Sequence, residues 1–368
     1  MDIREIFLGK SKKLLWERLN PSHVVDGATG QGFEKDEAYF VLRMKEMHLA
    51  TTRKLWRRFY PMLHSFLEYN NTNTHAVAGP GQLKELGEAN LDRVINLNYR
   101  LAGPTAYMGG DVSILVGLYS VPGEDAARAL VDTVGVIANL SGLALGQAIN
   151  IANAVKTGVE NIVGLDEARL ELGIRDSFFQ NNPLQSGYYV GINAPRSEVD
   201  FDQLWLDKGR LIKGSDPVVG VPYKEYDYMV LEIERRTSRD DWPGLPGIAE
   251  FQQKFSAIMR DSLLSVQEKR ERLKSIWTQF TQVLAESPHL IRPDREQIAE
   301  SVSSDLKARL RAMESGNPFE TRGWADGNVT AKLPTEFDFL DVPDYVDHSD
   351  ATSVRSAKAS LMGNPFAV

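Results

Sequence analysis

Two stretches of strict alternation constrain this chain most. Between Arg93 and Leu101, Ile95, Leu97, Tyr99 and Leu101 fall on one side, and Asn96, Asn98 and Arg100 on the other. From Glu167 to Arg175, Ala168, Leu170, Leu172 and Ile174 oppose Glu167, Arg169, Glu171 and Arg175. A period of two with one wet face is the pattern of a strand in an antiparallel sheet. A helix brings residues three and four apart onto one face and cannot present it. Val112–Val121 and Tyr226–Ile233 are apolar on both sides and suit central strands, and Tyr188–Ile192 adds a fifth. Leu204-Trp205-Leu206 and Arg210-Leu211-Ile212, around Asp207-Lys208-Gly209, read as a tight hairpin.

Helical spacing surrounds these strands. Residues 1–20 read as a short helix stopped by Pro21. From Asp36 to Tyr69, Phe40, Met44, Met47, Leu55, Phe59, Leu63 and Phe66 recur at three- and four-residue steps, with Pro61 as a kink. Asn70 to Gly81 is a linker by composition. The stretch 124–163 falls between the second and third strands and reads as a helical insertion packed on the sheet. Its core, Thr133 to Val155, carries no formal charge and is long enough to span a bilayer. Asn139, Ser141, Gln147, Asn150 and Asn153 interrupt it, which points instead to an amphipathic helix, or two broken near Gly142. After Trp242-Pro243, Ile248–Leu264, Val266–Glu286 and Asp294–Glu314 read as three more helices.

The expected fold is therefore α+β: an antiparallel β-sandwich-like core with a helical insertion, flanked by N- and C-terminal helices and an acidic tail. Four segments follow: a helical segment 1–81 with a glycine-rich loop, a β-domain 82–242, helices 243–315, and a tail 316–368 without periodicity, read as largely disordered in isolation. No βαβαβ alternation is visible, which counts against a doubly wound nucleotide fold.

Composition excludes several chemistries. The net charge of −8 argues against nucleic acid as a partner, since phosphate neutralisation needs a basic surface. The absence of cysteine removes disulfides, thiolate nucleophiles and Cys-ligated metal, and fits a reducing, cytoplasmic setting. None of the six histidines stands three or four residues from another, so no helical metal site is written locally. No G-x-S-x-G pentapeptide occurs. Asp240-Asp241 is a pair of carboxylates, but neighbours on an extended chain point apart, and Asp241 reads better as a cap before Pro243.

One loop carries a family echo. His23-Val24-Val25-Asp26 followed by Gly27-Ala28-Thr29-Gly30-Gln31-Gly32 loosely resembles the first motif of Rossmann-like methyltransferases, in which glycines let the backbone approach the cofactor and a helix follows at once. The resemblance would imply a nucleotide- or S-adenosylmethionine-dependent enzyme using residues 26–32. Ala28 stands where the first glycine is expected, and the preceding strand would be three residues long. The reading adopted needs no cofactor and no metal.

Two segments look made for partners. Arg43, Lys45, Arg53, Lys54, Arg57 and Arg58 stand against a single Glu46, which on a helix would make a basic face for phosphate, anionic lipid or an acidic peptide. In the tail, Glu336, Asp338, Asp341, Asp344, Asp347 and Asp350 alternate with Phe337, Phe339, Leu340, Val342, Tyr345 and Val346, a pattern suited to folding on binding. The tetrapeptide Gly-Asn-Pro-Phe occurs twice, ending at Phe319 and at Phe366. These features describe a non-catalytic protein-binding or assembly protein, with Arg53, Arg57, Arg58, Phe319, Phe337, Phe339, Leu340, Tyr345 and Phe366 as its contact residues. The rival reading is a membrane-active effector using helices 43–60 and 130–163.

Overall fold

The computed structural model describes residues 14–26, 30–50, 53–54, 57–70, 72–78, 94–122, 169–315 and 339–341. They fall into two compact units, Met1–Thr237 and Ser238–Val368.

The first unit is built of strands. In chain order they are β1 (Leu14–Arg18), β2 (Tyr39–His48), β3 (Arg53–Lys54), β4 (Arg57–Tyr69), β5 (Thr72–Ala78), β6 (Val94–Ala106) and β7 (Val112–Pro122). Then come β8 (Arg169–Phe178), β9 (Gly187–Asn193), β10 (Leu204–Asp207), β11 (Arg210–Lys213), β12 (Val221–Pro222) and β13 (Tyr228–Arg236). One sheet runs β1-β9-β13-β2-β6, a second runs β3-β4-β7-β8 with β5 also paired to β4, and a third is β10-β11-β12. Every pairing between the described strands is antiparallel. Phe40, Leu42 and Met44 of β2 and Met229 and Leu231 of β13 share one core cluster with Leu63 and Leu67 of β4, Ile114, Val116 and Leu118 of β7, and Leu172 and Ile174 of β8. Two sheets that pool their apolar faces in this way form a sandwich. The fold is α+β with an antiparallel core, as the alternation implies.

The third sheet lies on the other face of the first. Tyr188, Val190 and Ile192 of β9 and Tyr228 and Val230 of β13 cluster with Leu204, Leu206 and Leu211. The first sheet is thus buried on both faces, and this explains the main error of the sequence reading. The expected helix 36–69 is strands β2, β3 and β4. In β2 the inward residues step by two to Met44, then by three to Met47, because the pairings with β13 and β6 both skip Lys45. That bulge mimics a helical step. In β4, Leu63 and Leu67 face the sandwich core while the buried Met62 and Phe66 do not belong to it, so apolar positions come from two faces at once. Pro61 falls between the part of β4 paired to β3 and the part paired to β5, where among the described strands only β7 is in register with it. That is where a strand tolerates a missing N–H.

Two further corrections concern the N-terminal segment. Leu14–Arg18, expected at the end of a helix, is strand β1 on β9. Thr72–Ala78, expected in a linker, is strand β5. At the start of that stretch Tyr69 pairs with Thr72, and Asn70, which follows Tyr69, has φ 48°. Asparagine tolerates that left-handed conformation better than most residues. The predicted hairpin at 204–212 is present, with Asp207 opposite Arg210 and both Lys208 and Gly209 at positive φ. The insertion 124–163 lies outside the described residues.

Among its described residues the second unit holds three α-helices, α1 (Ile248–Arg260), α2 (Val266–Glu286) and α3 (Arg292–Ser315). Phe251 and Phe255 of α1, Trp277 and Phe280 of α2, and Leu306 and Leu310 of α3 belong to one core. The start of α2 is fixed by a capping box in which Ser265 and Glu268 exchange hydrogen bonds. The end of α1 is held by the buried Lys269, whose Nζ donates to the Met259 carbonyl at 3.0 Å.

Candidate functional site

Two arrangements of polar groups stand out among the described residues, one in each unit. In the first, the bulge at Lys45 turns Glu46 toward the third sheet, where it is 2% exposed. Glu46 Oε2 accepts the Leu211 N–H at 2.8 Å and the Tyr228 hydroxyl at 2.9 Å. Tyr223 stands edge-on to Tyr228, and His48 is tilted against the same ring. Burial pushes the Glu46 carboxyl up to about 7, against the opposing pull of the Leu211 amide, the Tyr228 hydroxyl and Arg210. Burial, then the charge of Glu46, raises the Tyr228 hydroxyl well above its ordinary value. The carboxylate satisfies a strand N–H of the third sheet and a hydroxyl of the first, so its geometry is that of a latch between layers.

The second arrangement is on the helical unit. Leu340 is 0% exposed and belongs to the three-helix core, with Phe339 packed against the same cluster. The Leu340 carbonyl accepts the Ser303 hydroxyl at 2.6 Å, and Asp341 pairs with Lys307 Nζ at 2.8 Å. Ser303 and Lys307 stand four residues apart on α3, so they share a face and grip consecutive residues of one segment. An apolar anchor, a backbone hydrogen bond and a charge pair together hold Phe339-Leu340-Asp341 against α3.

On another face of α3 a groove of about 450 Å³ opens between α1 and α3. Trp242, Phe255, Met259, Val302 and Leu306 give it an apolar floor, and Gln252, Ser256, Ser301, Asp305 and Arg309 a polar rim. Asp305 and Arg309 pair with each other along the helix at 2.9 Å.

The residues singled out from the sequence are dispersed. Phe339 and Leu340 are on the helical unit, and Phe319, Phe337, Tyr345 and Phe366 lie outside the described residues. Arg53, Arg57 and Arg58 lie on β3 and β4, with Arg53 opposite Arg58 in the register, so they share no helix. The basic run is further altered by pairing across the first sheet, since Arg43 meets Glu234 at 2.6 Å and Lys45 meets Glu232 at 3.3 Å. The face 43–60 is therefore not a basic helix for an acidic peptide or anionic lipid, as the sequence suggests, but parts of β2, β3 and β4. The glycine loop leads into β2 instead of a helix; Gly30 donates to the Ser186 carbonyl, and Gln31 exchanges hydrogen bonds with Ser186. The context of a methyltransferase first motif is absent from the described part. Asp241 sits before a short helical turn at Trp242, but its carboxylate takes the Arg239 guanidinium at 2.6 and 2.9 Å and makes no capping bond. Sequence reading missed Ser303, Lys307 and Glu46. Only Glu46 left a signal, as the one acid in a basic run. Comparison with protein-family models and with curated proteins finds no match to the chain.

Proposed function

We propose that this is a non-catalytic binding or assembly protein whose helical unit is a receptor for a short acidic, apolar-anchored segment. The observation that supports it is the seating of Phe339-Leu340-Asp341, with Leu340 wholly buried, its carbonyl taken by Ser303 and Asp341 paired with Lys307. Acidic–aromatic alternation in the tail supplies the matching ligand, and the receptor is α3 rather than the basic run 43–58. Burial of Leu340 provides most of the affinity, about 2 kcal/mol. The exposed Asp341 side of the ion pair adds direction and salt sensitivity more than strength. The same contact made by the tail of a second copy, or by an acidic segment of another protein, would join two molecules.

The test uses the full chain. Leu340→Asp places a charge in the apolar seat, and the vacated receptor should then bind a labelled 333–350 peptide modestly and in a salt-sensitive way. Wild-type protein, its seat occupied, should bind the same peptide less. A Leu340→Asp chain that ignores the peptide at low salt would refute the reading. So would equal binding of a peptide that itself carries Leu340→Asp.

A further inference from the structure

The groove between α1 and α3 is not used by the tail clamp. On a helix of 3.6 residues per turn, Ser303, Lys307 and Leu310 lie on one face of α3, and Ser301, Val302, Asp305 and Arg309 centre roughly 150° around the helix from it. A second binding element can therefore sit on α3 without displacing the first.

We infer that this groove is the seat of the Asn364-Pro365-Phe366 turn of the same chain. The groove asks for an aromatic ring: its floor is Trp242, Phe255 and Met259, two aromatic rings and a thioether, closed by Val302 and Leu306. Aromatic and thioether groups pack favourably on an inserted ring. Its rim offers an amide, two hydroxyls and a paired acid and base, which suit the polar side chain and peptide groups of a tight turn. The tetrapeptide Gly363-Asn364-Pro365-Phe366 supplies both parts. Proline fixes its own φ and restricts the asparagine before it, so the phenylalanine is presented at small entropic cost.

The chain's own course favours this occupant. Asp341 is already held on α3, and the 22 residues 342–363 reach up to about 70 Å at full extension. The whole of α3, 24 residues, is about 36 Å long, so the groove is well within range. Tethering to the same helix also gives a high effective concentration, which lets a small contact suffice. The other copy, ending at Phe319, follows Ser315 directly. Four residues span only about 13 Å, which brings them to Arg309 at the near end of the groove and leaves the floor at Val302, some 20 Å along the helix, beyond their reach. The inference goes beyond the clamp at Leu340 and uses the seating of Asp341 only as the tether.

The absence of cysteine makes the test clean. In the full chain, Ser256→Cys at the groove rim is combined with Ala367→Cys beside Phe366. A control pairs Ala367→Cys with Ser275→Cys, an exposed position on α2. Under mild oxidation the groove pair should form an intrachain disulfide at least ten times faster than the control, and adding Phe366→Ala should erase the difference. Equal rates for the two pairs overturn the inference, as does a rate indifferent to Phe366→Ala. A predominantly interchain disulfide also overturns it, by placing the turn on a second copy. None of these failures touches the Leu340 experiment, which reads a different face of α3.

Discussion

Buried ionisable groups carry the sharpest residue-level expectations. His64 is 0% exposed, and neither ring nitrogen meets a hydrogen-bond partner among the described residues. Burial alone lowers it from 6.5 to about 3. Its folded value lies below its unfolded one, so its contribution to stability is present above pH 6.5 and is lost as pH falls through 3. His64→Leu should stabilise the protein by about 1–3 kcal/mol at pH 7, because an unsatisfied polar group is removed. Urea melts at pH 7 and pH 4 should show the variant ahead at both, by more at pH 4. Glu46 acts in the opposite sense. Its folded value, about 7, lies above the ordinary 4.5, so its contribution is present below pH 4.5 and lost as pH rises through 7. Glu46→Gln keeps an acceptor for the Leu211 amide and should flatten the fall in melting temperature between pH 5 and 7. A variant that keeps the wild-type slope would show that another group titrates there.

At the scale of elements, the sandwich depends on faces and the helical unit on caps. Leu172 on β8 is 2% exposed and faces the core, opposite Leu118, whereas Arg175 is exposed. Leu172→Asp buries an unpaired charge and should cost more than 3 kcal/mol, while Arg175→Asp should change the denaturation midpoint little. Leu170 is a weaker probe than alternation alone suggests. The register skips Glu171 between Leu118 and Tyr119, and Leu170 is only half-buried. In the helical unit, Ser265→Ala removes the N-cap of α2 and should cost about 1 kcal/mol. Thermal melts followed at 222 nm would measure it, and a neutral result would mean that packing of Trp277 and Phe280 alone fixes where α2 starts.

The whole molecule has a separate core in each unit, and perturbations should follow that division. Phe280→Ala empties the centre of the helical core and should cost about 3–5 kcal/mol there. Hydrogen exchange by fragment would show faster exchange across 248–315 while β2, β7 and β13 keep their protection. Acceleration spread equally over both units would show that they unfold as one. The same variant loosens the seat of Leu340, so the tail segment should exchange with the helices and not with the sheets.

Alternation in β6 and β8, the hairpin around Lys208-Gly209, and the three C-terminal helices were legible because each has one buried side or a local turn chemistry that writes a period into the sequence. The acidic–aromatic tail stands out by composition, and three of its residues, Phe339 to Asp341, are seen against the three helices. The strand character of 39–69 was not. A strand buried on both faces and bent by a bulge carries no period of two, and nothing local distinguishes Met44 and Met47 across a bulge from a helical step. Nor could the sequence place Ser303 and Lys307 beneath Leu340 and Asp341, or bring Glu46 against Leu211. Such partners lie dozens to well over a hundred residues apart, and only the packing of sheet on sheet and helix on helix decides which polar side chains meet.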